Sequence, residues 1–273
     1  MISYPISPTS IIASIRQHHE LLMQLARRDA FGRYRTSYLG AMWSVLAPLT
    51  TLMVYTFVFG KVLPSNWTGQ VGTSTKEFAI VLFAGLLVFN YFAECVTRAP
   101  GVILSNPNYV TRVVFPLEIL VPATMLSALI HLLANALLLL LVQAVMTGHV
   151  SSFALLLPVA LLPLFFLTLG VMWFLASLGV YVRDVGQFAA ILVTPLLFLS
   201  PIFFPMEAVP VDYRWLMKLS PLTGSVEAAR DVLVFGRLPN VSYWLANFGA
   251  SVAVMAAGFA WFQYTRSGFA DVL

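Results

Sequence analysis

Hydrophobic residues fall into six long segments, and most polar residues lie in the connections between them. Apolar positions run continuously within each segment and do not alternate with polar ones, which indicates helices rather than strands. A helix rises about 1.5 Å per residue, so about 20 apolar residues cross the roughly 30 Å of hydrocarbon in a membrane. The predicted transmembrane helices are Trp43–Val62, Phe78–Val96, Leu117–Met146, Phe153–Tyr181, Val185–Phe204 and Tyr243–Tyr264.

A different pattern precedes the first span. From Ile11 to Arg28 apolar residues recur with a helical period, and polar residues occupy the opposite face. This pattern predicts an amphipathic helix in the membrane–water interface, within an interface segment of residues 1–35. The six-span domain follows at residues 36–273. The alternative is a soluble helix that packs on another domain.

Composition excludes a soluble protein. Of the 273 residues, 60% are hydrophobic and 10% are charged, whereas a soluble chain carries about 25% charged residues. Between Glu118 and Arg183 the chain passes 64 residues without Asp, Glu, Lys or Arg. We therefore predict an all-α integral membrane protein. Its single cysteine, Cys95, excludes a disulfide within one chain, and its scattered basic residues argue against a nucleic-acid partner.

Basic residues set the predicted orientation. Six spans place both termini on one side, and cytoplasmic connections carry an excess of Lys and Arg. The side of the termini holds nine basic residues and the other side holds six, four of them in residues 206–242 beside four acidic ones. Without that segment the comparison is nine against two, which predicts cytoplasmic termini. The nine are Arg16, Arg27, Arg28, Arg33, Arg35, Arg98, Arg112, Arg183 and Arg266.

The cytoplasmic connection of residues 98–116 is longer than a simple link requires. Pro100-Gly101 and Asn106-Pro107 interrupt it and leave room for a short helix. Apolar residues at 102–104 stand beside polar ones at 105, 106 and 108. The segment is interpreted as a docking element for a cytoplasmic partner, and the alternative is a loop along the lipid headgroups.

Residues 206–242 form the longest connection, on the predicted periplasmic side. Asp212–Leu219 and Pro221–Phe235 each have the pattern of a short helix, with Ser220 as a predicted cap and Gly236 as a stop. Neither helix is long enough to span alone. We predict two short re-entrant helices that dip into the outer leaflet, and the alternative is an amphipathic pair lying flat on the surface.

The polar residues of the spans do not form a catalytic constellation. His131 and Asn135 share a face of the third span, where hydrogen bonding between helices is the favoured interpretation, because a proton relay would need an acidic partner in that span. Glu94 and Arg98, four residues apart, are expected to form a local ion pair. A small-residue stripe on the last span favours close helix packing with an unspecified neighbour; it comprises Gly249, Ala253 and Ala257.

Energy for transport is not expected to come from this chain. The deep parts of the spans contain no Asp, Glu, Lys or Arg, which disfavours ion-driven transport. The single Gly-Lys pair, Gly60-Lys61, lacks the other residues of a P-loop. Aromatic residues are concentrated in the first and fifth spans; from composition alone, packing or lipid contact is favoured over a lining that stacks on sugars.

The segment that begins at Leu21, LLMQLARRDAFGRYRTSYLGAMWSVLAPL, resembles the ABC-2 family of transporter permeases, in particular the branch that exports bacterial O-antigen and capsular polysaccharide. YVRDVGQ at Tyr181–Gln187 is similar to a short cytoplasmic turn of that branch. Pro201–Pro205 and the later Ser220-Pro221-Leu222 are similar to the region before its last span. The resemblance extends over residues 21–264.

This resemblance implies a homodimer of six-span subunits, each paired with a separate cytoplasmic ATPase, so that two ATPase copies bind ATP and magnesium and this chain holds no cofactor. It implies that the interface helix and the loop after the second span contact the ATPase, and that aromatic residues of the first and fifth spans line a sugar channel. The channel residues so predicted are Trp43, Tyr55, Phe59, Phe198 and Phe203. The predicted coupling residues are Arg28, Ile103, Asn106, Tyr109, Arg112, Arg183 and Asp184.

The resemblance further implies that the two short periplasmic helices act as a gate, which would include Trp215, Leu219, Leu222 and Val226. The implied substrate is an O-antigen polysaccharide on undecaprenyl diphosphate, moved across the bacterial inner membrane by a non-enzymatic subunit. Arg33 and Arg35 either bind that diphosphate or only set the topology. Export of capsule, teichoic acid, a small lipid or a drug is the alternative function.

Overall fold

Helices account for the secondary structure of the part of the chain that the computed structural model describes, residues 8–32, 40–58, 75–111 and 115–273. No strand occurs in those ranges. In chain order the helices are α1 (Pro8–Gln17), α2 (His19–Gly32), α3 (Trp43–Phe57), α4 (Thr75–Arg98), α5 (Gly101–Leu104), α6 (Pro107–Thr111), α7 (Leu120–Thr147), α8 (Leu157–Ala160), α9 (Leu162–Tyr181), α10 (Val185–Leu199), α11 (Arg214–Leu219), α12 (Thr223–Leu233), α13 (Val241–Thr265) and α14 (Phe269–Val272).

Four helical segments of the described chain are long and apolar enough to cross a membrane. They are Glu77–Arg98, Leu117–Thr147, Ser152–Tyr181 and Val241–Val272. They agree with the second, third, fourth and sixth predicted spans, so the chain is a multi-pass membrane protein. The fourth contains a break at Leu161, between α8 and α9, where Pro158 and Pro163 each remove a backbone donor.

The other two predicted spans correspond to shorter helices. α3 and α10 have 15 residues each, which is about 22 Å of helix. The predicted end of the fifth span at Phe204 is wrong for the helix itself, because α10 stops at Leu199 and the chain turns at Ser200–Phe204. Residues after Val58 in the predicted first span lie outside the described part of the chain.

α4 occupies the centre of the subunit. It packs against α3, α7, α9, α10 and α12. Its residues from Phe78 to Phe89 are all buried, so nearly the whole circumference of this helix contacts protein. This arrangement explains why α4 is apolar on every side between Phe78 and Phe89: a helix segment enclosed by other helices has no face that contacts water.

α9 and α13 form the most extensive helix pair. A Cβ atom added to Gly258 would lie 2.0 Å from the carbonyl oxygen of Gly170, and one added to Gly170 would lie 2.5 Å from that of Val254. Only glycine allows the two backbones to come this close. The predicted stripe on α13 does not make this contact, because Gly249, Ala253 and Ala257 are exposed on another face.

The N-terminal segment forms two helices where the sequence predicted one. α1 and α2 are separated by a turn at His18. The predicted amphipathic period is confirmed in α2, whose buried residues pack against α7 and comprise Leu22, Leu25, Ala26 and Ala30. Met23 and Phe31 of the same helix are exposed.

The long connection before α13 contains α11 and α12, which lie within the two predicted helices. Gly236 has φ +62°, which confirms its role as the stop after α12. The predicted side-chain cap by Ser220 is wrong: its hydroxyl bonds that of Ser200 at 2.8 Å, and α12 begins after Leu222 without a side-chain cap. α12 itself is buried from Thr223 to Leu233 except at Gly224 and Glu227.

Candidate functional site

Two aromatic surfaces lie on the short helices α3 and α10. Trp43 and Phe198 are 49% and 53% exposed in the single chain, beside other exposed apolar residues of both helices. Phe203 is instead buried, at 1% exposure, and its ring contacts the rings of Tyr55 and Phe198 at 5.2 and 5.4 Å. The structure therefore brings Tyr55, Phe198 and Phe203 together, with Phe203 packed behind the surface, whereas Trp43 lies at the other end of α3. Phe59 lies outside the described residues.

The two predicted docking segments meet in the structure. Arg28 on α2 donates a hydrogen bond to the hydroxyl of Tyr109 on α6, at 3.4 Å, although the residues are 81 positions apart. The Tyr109 ring stacks on Phe115 at 4.3 Å between centroids. This contact joins the amphipathic segment to the loop after the second span, so a partner bound to one would touch the other.

The remaining coupling residues divide into buried and exposed groups. Ile103 is fully buried, and Asn106 donates its side-chain amide to the Val102 carbonyl at 2.9 Å, so both hold α5 and its end in place. Arg183 and Asp184 are exposed in the turn before α10. Arg112 lies outside the described residues, as do Arg33 and Arg35.

A cavity of about 560 Å³ opens between these elements. Charged and polar groups from α2, α4, the α5 region and the α10 turn line it, including Asp29, Arg98, Asn106 and Arg183. The cavity thus lies where three of the predicted cytoplasmic segments converge. Its lining of both charge signs is suited to polar side chains of a protein partner.

Beside this cavity, a chain of charged groups connects α2, α4 and α7. Arg98 Nη2 lies 2.5 Å from Asp29 Oδ2, and Arg98 Nη1 lies 3.5 Å from Glu94 Oε1. Glu94 also contacts His131 Nδ1 at 3.1 Å. The predicted Glu94–Arg98 pair is confirmed, but sequence reasoning looked for the acidic partner of His131 in its own span and missed the one on the neighbouring helix.

A second cluster on the same side was not predicted. Arg266, just after α13, donates to Glu118 Oε2 at 2.6 Å, and Ser14 of α1 donates to Glu118 Oε1 at 2.9 Å. Trp173 donates its indole N–H to the Glu118 carbonyl. Glu118 thereby connects α1, the start of α7, α9 and the end of α13. One feature of the sequence could have indicated this role of Glu118: it is the last charged residue before 64 residues without Asp, Glu, Lys or Arg.

The predicted gate residues occupy two environments. Leu222 and Val226 are fully buried and anchor α12, whereas Trp215 and Leu219 of α11 are 59% and 73% exposed. Exposed apolar rings and leucines at this position suit contact with lipid or with a second subunit rather than with water.

Arg230, on α12, is a functional candidate that sequence reasoning treated only as a topological charge. Its guanidinium is buried at 3% exposure and donates to the carbonyls of Val81, Pro201 and Ile202. Burial lowers the pKa of Arg230 to about 9, so it stays charged at neutral pH. The carbonyls come from α4 and from the turn after α10, so one side chain holds three elements together.

Neither a catalytic nor a metal centre emerges from the described ranges. No group of three or more His, Cys, Asp or Glu side chains within them is placed to hold a metal ion. Cys95 is buried. The notable polar arrangements of the described residues are the charge clusters around Arg98 and Glu118 and the hydrogen bonds of Arg230.

Comparison with known proteins gives a consistent answer. A sequence profile described as ABC-2 type transporter matches residues 20–234. An O-antigen export system permease protein of Myxococcus xanthus is 24% identical over 263 residues, covering 96% of this chain and 98% of the relative. One from Klebsiella pneumoniae is 23% identical over 93% and 95% of the two chains. A polysialic acid transport protein of Escherichia coli is 28% identical over 77% and 78%.

Proposed function

Because the chain belongs to the ABC-2 type transporter family, we propose that it is the membrane subunit of an ATP-driven exporter that carries O-antigen polysaccharide across the bacterial inner membrane. The observation that carries this proposal is the near full-length similarity to two export permeases of that polysaccharide. The polysialic acid relative, which is similar over three quarters of the chain, favours another surface polysaccharide as the second candidate.

The proposed topology has six spans and cytoplasmic termini, with α3 and α10 as the first and fifth. Their 15-residue lengths suit spans that border a second subunit or a polar pathway more than lone helices in lipid. A cysteine at Thr73 should react with a membrane-impermeant reagent from the periplasm, and one at Asn106 only from the cytoplasm, in a Cys95→Ala background. Reversed labelling would overturn the orientation.

The proposed route for the polymer runs between two copies of the subunit. Exposed aromatic residues on α3 and α10, among them Trp43 and Phe198, support this arrangement, because rings stack on sugars without requiring charge in the membrane. The deep parts of the spans carry no Asp, Glu, Lys or Arg, so a polymer that passes there would contact uncharged side chains. Phe59 is proposed to continue the same lining, and Tyr55 and Phe203 to support it.

Coupling is proposed to occur at the joined cytoplasmic segments. The Arg28–Tyr109 contact and the cavity beside Arg98 support one continuous docking surface for a nucleotide-binding ATPase. In a homodimer two ATPase copies would bind, and they would hold the ATP and magnesium. This chain would need no cofactor of its own. Arg112 is proposed to belong to the same surface.

At the periplasmic exit, α11 and α12 are proposed to dip into the outer leaflet as a gate. The burial of Leu222 and Val226 supports a fixed α12, and the exposure of Trp215 and Leu219 supports a moving or subunit-facing α11. At the cytoplasmic entrance, Arg33 and Arg35 are proposed to pair with the diphosphate of an undecaprenyl carrier.

Deletion of the gene and complementation test the function. Loss of the chain should remove the surface polysaccharide and leave the lipid-linked polymer inside the cell, and a plasmid copy should restore export. A copy carrying Val145→Ala, at an 87% exposed position near the end of α7, serves as a matched control. Unchanged surface polysaccharide together with altered drug or lipid export would refute the proposal in favour of a small-molecule exporter.

A further inference from the structure

We propose that Arg98 is a positioning residue that joins α2 to α4 and α7, so that these three helices move as one body when the ATPase pulls on the cytoplasmic segments. The inference rests on the proposed exporter function. It assigns to one side chain a task that the docking surface itself does not perform: carrying displacement from the interface helix into the membrane.

The geometry places Arg98 between two carboxylates on different elements. One nitrogen of its guanidinium contacts Asp29 on α2 and the other faces Glu94, one turn earlier on α4. The side chains of Arg98, Asp29 and Glu94 are 26%, 35% and 22% exposed, so the charges are partly shielded from water and salt. Glu94 continues the chain of contacts to His131 on α7, whose side chain is 13% exposed.

Packing connects α2 to α4 only indirectly, because α2 packs on α7 and α7 packs on α4. The apolar face of α2, formed by Leu22, Leu25, Ala26 and Ala30, packs on α7. Arg98 adds a directional link from α2 to the central helix of the subunit. Its planar guanidinium donates a hydrogen bond from Nη2 to Asp29 and holds Nη1 in an ion-pair contact with Glu94 at 3.5 Å, a geometry that the single ammonium of lysine reproduces less well.

Arg98 lies in the chain directly before the predicted coupling segment. Arg98 is the last residue of α4, and α5, the start of the predicted coupling segment, begins at Gly101. Arg28, next to Asp29, contacts Tyr109 on α6. A displacement of α5 and α6 is therefore transmitted to α4 through the connecting backbone and to α2 through Arg28. The Arg98–Asp29 ion pair links α2 to α4, so that the two helices move together.

The first test measures coupling in the intact complex of this chain with its co-purified ATPase. Arg98→Gln and Asp29→Asn should each lower polysaccharide exported per ATP hydrolysed several-fold, while membrane abundance and ATPase association stay normal. Arg98→Lys should retain part of the coupling that Arg98→Gln loses. The double variant Arg98→Gln with Asp29→Asn should export no less polysaccharide per ATP than the more impaired of the two single variants. Asp271→Asn, which makes the same change as Asp29→Asn at an exposed position on α14, is the matched control.

A second test replaces the ion pair by a covalent link. Asp29→Cys with Arg98→Cys, in a Cys95→Ala background, should be poorly coupled until a short bismaleimide joins the two thiols, and the link should then restore export. Single-cysteine variants treated with the same reagent should not recover. Failure of the thiols to cross-link in the folded complex, or cross-linked protein in which export stays blocked, would overturn the proposal.

The two proposals fail differently. If the unaltered chain exports no polysaccharide, the proposed function is wrong. The rate of ATP hydrolysis by the complex then shows whether the cross-link restores coupling between the ATPase and the membrane helices. If the unaltered chain exports normally and Arg98→Gln leaves export per ATP unchanged, the positioning role of Arg98 is wrong while the function stands.

Discussion

Two glycine-to-alanine substitutions on α13 should have opposite effects on stability. The Cβ of Gly258→Ala would lie 2.0 Å from the carbonyl oxygen of Gly170, whereas real Cβ contacts essentially never fall below 3.0 Å. α9 and α13 would have to separate by about 1 Å, which removes dispersion contacts along the whole helix pair. Overpacking of this kind costs about 1–3 kcal/mol, and a rigid backbone obstacle favours the upper end.

Gly249→Ala is the matched control because it makes the same chemical change on the same helix. No atom lies within 4 Å of a Cβ added at Gly249. Alanine has the higher helix propensity by about 1 kcal/mol, so this variant should be neutral or slightly more stable.

Thermal unfolding of the detergent-purified protein, followed by the fluorescence of a thiol probe that reacts with Cys95 as it becomes exposed, measures both variants. We expect a clearly lower Tm for Gly258→Ala and an unchanged or higher Tm for Gly249→Ala. Equal Tm values would refute the close approach of α9 and α13. A loss confined to Gly249→Ala would show that the exposed stripe, and not the Gly258 face, makes the tight contact.

Three further predictions follow from the site. Phe203→Ala should lower the free energy of unfolding by about 3–5 kcal/mol and reduce membrane abundance, because the ring is buried. Phe198→Ala should accumulate normally and export less polysaccharide per molecule, because this ring is exposed. Equal membrane abundance of the two variants would contradict the assignment of Phe203 to packing and Phe198 to the channel. Arg230→Leu should reduce abundance because it leaves three buried carbonyls without their donor, at about 1–3 kcal/mol each, and normal accumulation on a quantitative blot would count against that role. Arg28→Glu should weaken ATPase association in co-purification at normal membrane abundance, whereas Tyr109→Phe, which removes only the hydroxyl, should have a smaller effect; identical recovery of the ATPase with both variants and the unaltered chain would exclude the contact from docking.

Four spans, the N-terminal period and the two short helices before the last span were predictable because each depends on local sequence. Hydropathy over about 20 residues reports whether a segment can lie in hydrocarbon, and Gly236 after α12 reports where a helix must stop. The helix break at His18 was not predictable, because the helical period of the sequence runs across it. The end of α10 at Leu199 was predicted too late, although Pro201, which disfavours helix at the residue before it, was an available signal.

The candidate site was predictable as a set of segments but not as a set of contacts. The sequence marked residues 11–28 and 98–116 as separate docking elements, and only the fold placed Arg28 against Tyr109. The acidic partner of His131 lies 37 residues earlier in the chain, on another helix, so a search along one span could not find it.

The sequence by itself determined that this is a helical membrane protein of a recognisable transporter family, because composition, span length and motif order are properties of the chain read in one dimension. Tertiary structure decided which face of each helix points inward. In a soluble protein, the apolar face of an amphipathic helix indicates which side points toward the interior. A membrane span such as α9 is apolar on all sides, and its side chains pack equally well against lipid and against protein. The inward face of α13 is instead determined by steric fit. Gly258, and not Gly249, contacts α9, because the backbones of α9 and α13 approach closely at Gly258.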